Sequence, residues 1–433
     1  MLQNGYTIKS IKGKQIRIVE YIAEGGQGEV YKVDYNGELK ALKWYKKSKE
    51  GLGDNPQAFY DNLKSNINKG APSKEFLWPI DMTGWIDGTF GYVMDLRPKG
   101  YFEMSDFMLT LVRFKSFKVA IDAALHIVSA YRILHNNGYS YQDLNDGNFF
   151  INPDNGNVLI CDNDNVAPEG TDTGILGKPR YMAPEIVLRK SMPNSLSDRF
   201  SMSVIIFILL CLTHPLEGKR SLIEAMPPEI QEKLYGSEAM FILDPTDDGN
   251  RPHPLIHKNM KIIWPELPDY VKKFFVDAFS QKALKEPNSR PKELDWIKCL
   301  VRFRSEIVQC KCGNEVFTQG GKGRNCEKCN SPLNIPFRLE FSDYSMPGVS
   351  GSRIYRCQVG TCNADDALKP IGAVIANKNN PNLVAIANMS DKSWNALTPS
   401  GNAKRVAPKE YVPLKDGITF TANNANITIK ENK

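Results

Sequence analysis

The chain has 433 residues, of which 42% are hydrophobic and 24% are charged, and its net charge is +6. This length predicts two or three domains, and the mild charge, without a Lys/Arg block, predicts no nucleic-acid interface. The first residues, MLQNGYTIKS, lack the apolar core of a secretory signal. The apolar run at 204–212 is shorter than the roughly 20 residues that cross a bilayer. We therefore expect a cytoplasmic protein that has no membrane partner.

The first 96 residues are expected to be rich in strands. Alternating apolar positions predict strands at Gln15–Val19 and Phe90–Met94, and a helix lies between them near Gln57–Lys69. Residues 22–33, IAEGGQGEVYKV, place glycines in a strand–turn–strand, where backbone N–H groups can approach a phosphate closely. Glycine clusters are also common in ordinary hairpins. The segment gains weight from Lys43, which follows on the next apolar run in Ala41-Leu42-Lys43 and would bind phosphates.

The segment at 141–165, YQDLNDGNFFINPDNGNVLICDNDN, is the most informative part of the chain. It spaces Asp143, Asn148 and Asp162 as phosphoryl transfer requires. One carboxylate accepts the proton of the attacking hydroxyl, while an amide and a second carboxylate hold Mg²⁺ on the phosphates of ATP. Helical periodicity surrounds the segment, at Phe117–His135 and Tyr270–Phe279.

Further motifs follow in a fixed order. Tyr181-Met182-Ala183-Pro184-Glu185 matches A-P-E with its flank, Asp198 begins an apolar helix, and Arg290 precedes Pro291. With this full set, residues from about 15 to 304 resemble a eukaryotic-like Ser/Thr protein kinase domain. The resemblance implies an α+β, bilobal protein kinase fold over 1–304, with a β-rich N-lobe at about 1–96 and a helical C-lobe at about 97–304. It also implies that Asp198 supports the catalytic loop and that Arg290 pairs with Glu185.

The resemblance implies a role for each site residue. Asp143 would be the base, Lys43 would position the phosphates of ATP, and Asn148 and Asp162 would hold Mg²⁺. Ala23 stands where the first glycine of the loop is usual, and Met94 lies at the back of the nucleotide pocket. The implied nucleotide-binding residues are Ala23, Gly25, Gly26, Gly28, Val30, Ala41, Lys43, Met94, Asp95 and Arg97.

A narrower resemblance concerns GAPSKEFLWPIDM, FILDPTDDGNRPHP and the C-terminal cysteines. These segments are similar to a bacterial group of kinases associated with tellurite-resistance and stress systems. That group implies two partners, a PP2C-type phosphatase and a von Willebrand A domain protein.

The cysteines after residue 304 predict a second module. Cys310-x-Cys312 and Cys326-x-x-Cys329 are separated by 13 residues, and two such pairs can converge on a tetrahedral Zn²⁺ with Zn–S bonds of ~2.3 Å. We expect a zinc ribbon at 305–336, and the alternative is inert or redox-active thiols. Cys357 and Cys362 form another pair, which is a chance spacing, a disulfide or a contribution to a metal site.

Residues 337–433 predict a small β-sandwich, because short apolar strands alternate with Gly, Asn, Asp and Pro. The stretch that begins NLVAIANMSDKSW is similar to the second half of a forkhead-associated (FHA) domain, a class that binds phosphothreonine. The usual Ser-x-x-His and Gly-Arg signatures do not stand out. We therefore favour a docking or packing module over a phosphopeptide receptor.

Several positions depart from the kinase pattern. Tyr141-Gln142 replaces His-Arg, which predicts weak dependence on phosphorylation of the loop threonines Thr171 and Thr173. Asn145 stands where Ser/Thr kinases carry a Lys that touches the γ-phosphate, and Asp162-Asn163-Asp164 replaces D-F-G. For Lys43, the nearest candidate partner on the helix is Asp61, and the other possibility is that it has none there.

These departures keep other functions open. We expect an ATP- and Mg²⁺-dependent protein kinase that phosphorylates Ser/Thr hydroxyls of proteins and also phosphorylates itself. The main alternative is a pseudokinase scaffold that binds nucleotide and organises partners, but such proteins usually lose the phosphate Lys, the catalytic Asp or the metal Asp. A small-molecule kinase is disfavoured by the A-P-E segment, and a metal or redox sensor would act through the cysteines.

Overall fold

The computed structural model describes residues 1–171, 177–380 and 383–432, so that Thr173 lies outside the described residues. The described chain divides into two compact units. One comprises Met1–Lys115, Ala130–Pro265 and Phe275–Pro291, and the other comprises Ser116–Ser129, Glu266–Phe274 and Lys292–Lys433. Within the described ranges, no helix is long and apolar enough to span a membrane.

An antiparallel sheet opens the first unit, and it confirms the predicted strand-rich beginning. Its order is β1-β2-β3-β4-β6-β5. Two apolar clusters fix its register, one of them formed against the long helix that follows β4. That helix begins at Pro56, where Asn55 accepts a hydrogen bond from the Ala58 N–H at 3.1 Å. The elements are β1 (Thr7–Lys9), β2 (Gln15–Glu24), β3 (Gly28–Tyr35), β4 (Glu38–Tyr45), α1 (Lys49–Leu52), α2 (Pro56–Lys69), β5 (Asp81–Met82) and β6 (Gly91–Met94).

Helices dominate the chain from Met104 to Ser305, with short strands that carry the catalytic segment. Helix α6 (Ser195–Cys211) contains residues 204–211 of the apolar run, all of them buried, so that this run forms core rather than a membrane segment. The elements are β7 (Phe102–Glu103), α3 (Met104–Met108), α4 (Phe117–Asn136), β8 (Tyr139–Ser140), β9 (Phe149–Ile151), β10 (Val158–Ile160), β11 (Ala167–Pro168), α5 (Pro184–Val187), α6 (Ser195–Cys211), α7 (Pro228–Glu232), α8 (Lys258–Glu266), α9 (Asp269–Ala278), α10 (Gln281–Lys285) and α11 (Glu293–Ser305).

A short hairpin follows α11 in the second unit. It pairs β12 (Ile307–Gln309) with β13 (Glu315–Phe317) in antiparallel register. Cys310 begins the turn and Gly313 closes it with φ of +85°, a conformation that glycine adopts without a Cβ clash. Cys310 and Cys326 are buried with Val316, Leu333 and Ile335 in a small core.

The remaining strands form a sheet of order β15-β14-β23-β22-β19-β20 and another of order β16-β17-β18-β21. Both sheets contribute to one core, in which Trp394 and Phe420 stack at 5.1 Å between ring centroids. Cys357 is buried and Cys362 is half-buried. The strands are β14 (Phe337–Glu340), β15 (Ser345–Pro347), β16 (Arg353–Tyr355), β17 (Pro370–Ala376), β18 (Val384–Asn388), β19 (Trp394–Leu397), β20 (Ala403–Val406), β21 (Tyr411–Pro413), β22 (Thr419–Ala422) and β23 (Ala425–Glu431).

Candidate active site

Lys43 lies on β4 with its ammonium buried among three oxygen-bearing side chains. Its Nζ donates to Gln27 Oε1 at 2.8 Å, to Asp164 Oδ2 at 2.9 Å and to Asp162 Oδ1 at 3.2 Å. Burial by itself disfavours the ammonium, but the carboxylates of Asp162 and Asp164 outweigh it and raise the pKa of Lys43. Lys43 is therefore a fixed cation at the end of the Gly-rich turn.

Asp164 is the most enclosed member of this cluster. Its side chain has no exposed surface, and its carboxylate also accepts hydrogen bonds from Tyr45 Oη at 2.6 Å and from Tyr92 Oη at 3.2 Å. Burial, together with the charge of Asp164, raises the pKa of both tyrosines. Asp164 thus exchanges water for a cation and two hydroxyl donors.

Asp61 is not the partner of Lys43. It is exposed on α2, where its Oδ2 accepts a hydrogen bond from Gln57 Nε2 at 3.1 Å. The helix instead reaches the segment after Asp164 through amides, because Asn62 and Asn66 both donate to the Val166 carbonyl, at 2.9 and 2.8 Å. Among the described residues, no side chain of α2 bonds to Lys43, in agreement with the second possibility, and its carboxylate partners lie in the loop at 162–164.

Asp143 follows β8 and is surrounded by short-range contacts. Asn145 Nδ2 donates to Asp143 Oδ1 at 3.1 Å, and Asn145 Oδ1 accepts from Lys178 Nζ at 3.0 Å. Gly177 has φ of +84°, and a Cβ there would lie 2.9 Å from Asp143 Oδ1. Burial raises the pKa of the Asp143 carboxyl, although the hydrogen bond from Asn145 opposes this.

Asn148 is held by Tyr141, the residue that replaces the usual histidine. Asn148 Nδ2 donates to Tyr141 Oη at 3.1 Å, and Tyr141 Oη donates to the Cys161 carbonyl. The Tyr141 N–H in turn donates to Asp198 Oδ2 at 2.7 Å, which confirms that Asp198 supports the catalytic loop. These bonds hold the loop at 141–148 against Asp198 and the Cys161 carbonyl.

The loop at 162–165 is held by amides in place of an aromatic ring. Asp162 has a left-handed backbone, with φ of 54° and ψ of 41°, and its side chain is 42% exposed. Asn163 is buried and its Nδ2 donates to the Leu77 and Ile160 carbonyls, both at 2.8 Å. A hydrogen-bonded Asn therefore occupies the position of the phenylalanine of D-F-G.

The Gly-rich turn has the close backbone approach that glycine permits. A Cβ on Gly28 would lie 2.3 Å from the Trp44 carbonyl oxygen, and the Gly25 N–H donates to the Gly28 carbonyl at 2.8 Å. Val30 pairs with Ala23 on the neighbouring strand. Of the other expected nucleotide-binding residues, Ala41 and Met94 are buried, Asp95 accepts from Lys40 at 2.6 Å, and the Arg97 guanidinium lies 4.2 Å from the Phe150 ring centroid.

The expected pair of Glu185 and Arg290 is formed. Arg290 donates through Nη1 and Nη2 to the two carboxylate oxygens of Glu185, at 2.7 and 2.6 Å. Gln142 Nε2 donates to the Thr171 carbonyl at 3.0 Å, so it contacts the backbone at the start of the segment that follows β11. The first contact holds the A-P-E segment, and the second holds the residue that precedes Asp143.

Residues 16–234, just over half of the chain, match the family described as the protein kinase domain. The chain belongs to the protein kinase family. Maternal embryonic leucine zipper kinase of Xenopus tropicalis is 27% identical over 204 residues, which are 46% of this chain and 30% of that one. CBL-interacting serine/threonine-protein kinase 7 of Arabidopsis thaliana is 31% identical over 114 residues, 25% of this chain and 26% of that one. This kinase chain thus spans about a quarter to a third of the length of these relatives.

Solved structures of the Mycobacterium tuberculosis PknI kinase domain also match the kinase chain. One is 17% identical, covers 70% of this chain and 99% of that one, and has a TM-score of 0.46.

Sequence reasoning missed two charged contacts of the kinase site, those of Asp164 with Lys43 and of Lys178 with Asn145. A signal existed for both. Asp164 stands at the glycine position of D-F-G, where no charge is usual. Lys178 follows Gly177, shortly before Tyr181, which begins the match to A-P-E and its flank. Each places a charge near a position where the usual charge is missing.

The cysteine hairpin brings together the sulfur atoms of Cys310, Cys312, Cys326 and Cys329, all within 4.8 Å of one another. The Cys310–Cys329 and Cys312–Cys326 distances are 3.6 and 3.7 Å. A tetrahedral site with Zn–S bonds of about 2.3 Å has sulfur atoms about 3.8 Å apart.

Proposed function

We propose that this chain transfers the γ-phosphoryl group of ATP to Ser or Thr hydroxyls of proteins, including its own. The observation that supports this best is the arrangement around Lys43, in which the ammonium contacts the Asp162 carboxylate at 3.2 Å. A phosphate-binding cation and a metal-binding carboxylate are thus adjacent, as phosphoryl transfer from a metal-bound nucleotide requires.

Asp143 is the proposed base. It orients the acceptor hydroxyl and takes its proton as the new phosphoester bond forms, while the bond between the γ-phosphorus and the β–γ bridging oxygen breaks and ADP leaves. The raised pKa of Asp143 makes its carboxylate a stronger proton acceptor. The hydrogen bond from Asn145 to Oδ1 fixes the orientation of the carboxylate.

Lys178 is proposed to supply the positive charge that Asn145 lacks. The Lys178 ammonium donates to Asn145 at 3.0 Å and is close enough to Asp143 to lower the pKa of that carboxyl, against the effect of burial. In this position it would meet the transferred phosphoryl group, whose oxygens carry the negative charge of the transition state. A lysine of the segment before A-P-E would thus take the role that a lysine of the catalytic loop usually has.

Asn148 and Asp162 fit the proposed Mg²⁺. They offer an amide and a carboxylate oxygen, the hard donors that Mg²⁺ prefers, and Tyr141 turns the Asn148 amide by accepting from its Nδ2. When bound, the ion would neutralise charge on the β- and γ-phosphates. The residues of this chain hold it and align the phosphates with Asp143.

The test is self-phosphorylation with γ-labelled ATP and Mg²⁺, with Asp143→Asn as the control. We expect label on Ser or Thr of the wild-type chain and a loss of about 10²- to 10⁴-fold in the variant. Label on neither, with nucleotide still bound in a thermal-shift assay, would instead support the pseudokinase scaffold. Label that persists in Asp143→Asn would contradict the role of Asp143.

For the C-terminal modules we propose structural and docking roles. The sulfur spacing supports a zinc ribbon with one Zn²⁺ per chain, which elemental analysis of the purified protein would measure; a content near zero under reducing conditions would contradict it. The strands of the second unit support an FHA-like β-sandwich that docks protein partners. The PP2C-type phosphatase and the von Willebrand A domain protein are the proposed partners, to be tested by copurification of the three proteins.

A further inference from the structure

Lys43 needs a fixed carboxylate to stay aligned with the phosphates of a nucleotide. In protein kinases a Glu on the helix after the lysine strand supplies it, and the position of this helix controls activity. We propose that in this chain Asp164 is the positioning residue for Lys43, so that the alignment comes from the magnesium loop and not from α2. The inference rests on the proposed function and adds to it how the site is assembled.

Asp164 has the contacts that such a role requires. Its Oδ2 accepts from Lys43 at 2.9 Å and from Tyr45 at 2.6 Å, while Oδ1 accepts from Tyr92 at 3.2 Å. Neither the Lys43 nor the Asp164 side chain is more than 7% exposed. Because both charges are buried, each one depends on the other to offset its desolvation.

Asp162 cannot take this role as well. It also contacts Lys43, at the longer distance of 3.2 Å, it is 42% exposed, and it is the carboxylate proposed to bind Mg²⁺. A carboxylate that binds Mg²⁺ shares its charge with the ion. Of the two carboxylates that contact Lys43, Asp164 is the one that remains available when Asp162 is engaged; the other contact, with Gln27 Oε1 at 2.8 Å, carries no charge.

Helix α2 is attached to the same loop by neutral groups. Asn62 and Asn66 donate to the Val166 carbonyl, two residues beyond Asp164, and the exposed carboxylate of Asp61 bonds to Gln57 on its own helix. An outward shift of α2 would break amide bonds but would leave the Lys43–Asp164 pair intact. The proposal therefore places the control of Lys43 in the loop.

The experiment compares Asp164→Asn with the matched control Asp61→Asn. Nucleotide affinity is measured by titration with a fluorescent ATP analogue without Mg²⁺, and KM for ATP and kcat are measured with Mg²⁺. We expect Asp164→Asn to weaken nucleotide affinity and raise KM by about 10- to 100-fold, because a charged hydrogen bond is lost, whereas Asp61→Asn changes both by less than about 2-fold. Equal effects of the two variants, or a larger effect of Asp61→Asn, would overturn the proposal.

Tyr45→Phe keeps the inference testable if Asp164→Asn does not fold. This variant leaves the charge of Asp164 and removes one hydroxyl that orients it, so we expect a rise in KM of about 2- to 10-fold with the protein still folded by circular dichroism. An unchanged nucleotide affinity and KM in Tyr45→Phe would count against the positioning role. Nucleotide affinity is measured without phosphoryl transfer. A chain that binds nucleotide but transfers no phosphate would therefore refute the proposed function, while the affinities of the variants would still test the role of Asp164.

Discussion

The contacts that support the catalytic loop and the charged contacts of the active-site side chains differ in how closely they follow the kinase pattern. Among the supporting contacts, Glu185 pairs with Arg290, and Asp198 accepts a hydrogen bond from the Tyr141 N–H, as the motifs predict. In the active site, by contrast, the carboxylate that pairs with Lys43 belongs to Asp164, and the ammonium beside Asn145 belongs to Lys178. The supporting residues stand at the motif positions that the fold fixes. The charges at Lys43 and beside Asn145 instead come from residues at other positions in the sequence, because a side-chain charge can reach the same place in the site from a different residue.

The largest expected effect concerns the supports. Arg290→Ala removes a guanidinium whose side chain is 1% exposed and leaves the Glu185 carboxylate, which is 13% exposed, without its partner. We expect the free energy of unfolding to fall by about 3–5 kcal/mol, measured by urea denaturation. Arg17→Ala is the control, because that side chain is 57% exposed in its pair with Asp34 and should cost less than about 1 kcal/mol. Similar losses in the two variants would show that the buried pair is not a special support.

The second effect is a pH dependence of stability that comes from the buried His214. Its Nε2–H donates to the Arg180 carbonyl at 2.8 Å and its Nδ1 accepts from the Leu216 N–H at 3.2 Å, so His214 is held neutral. Burial lowers the pKa of His214 to about 4, against the opposing charge of Glu217. Because the unfolded chain binds the proton at its ordinary pKa of about 6.5, stability should fall as the pH falls from about 6.5 to about 4.

This pH dependence amounts to at most about 3 kcal/mol at pH 4. Burial raises the pKa of Glu217, but the charges of His214 and Arg180 outweigh it and lower that pKa, so Glu217 adds its own loss of stability towards the acid end of this window, while Arg180 stays charged. Urea denaturation of wild type and His214→Gln between pH 7 and pH 4 measures the effect, and the difference between the two isolates the histidine. Parallel pH profiles for the two proteins would contradict the prediction.

The third effect concerns the relocated charge at Lys178. Lys178→Ala should lower kcat by about 10- to 100-fold, because it removes a cation proposed to meet the phosphoryl group, and it should leave the stability of the exposed site nearly unchanged. Lys190→Ala, at another exposed lysine of the same lobe, is the control for a general charge effect. A double variant, Asn145→Lys/Lys178→Ala, tests the relocation directly, since it returns the lysine to the catalytic loop. Activity of Lys178→Ala equal to that of the control would contradict the role.

Local spacing explains what the sequence could predict. Asp143 and Asn148 are five residues apart on one loop, and α2 begins one residue before the predicted helix, at Pro56 after its Asn55 cap. By contrast, Lys43 and Asp164 are separated by 121 residues and Asn145 and Lys178 by 33, so their contacts depend on the folded chain. Strand β20 is hard to predict from the sequence because three of its four residues are exposed and its apolar alternation is weak.

The smallest effect is expected where the usual activation device lacks its charge. Gln142 stands in place of the arginine that receives a loop phosphate, and it already donates to the Thr171 carbonyl at 3.0 Å. A phosphate on Thr171 or Thr173 would therefore find no guanidinium at this position to form the charge-assisted bonds that order such a loop. We expect Thr171→Ala/Thr173→Ala to retain kcat/KM within about 2-fold of wild type, with or without prior phosphatase treatment. Loss of activity in the double variant would mean that another cation receives the phosphate, and the charges around Asp143 would then be relocated for regulation as well as for catalysis.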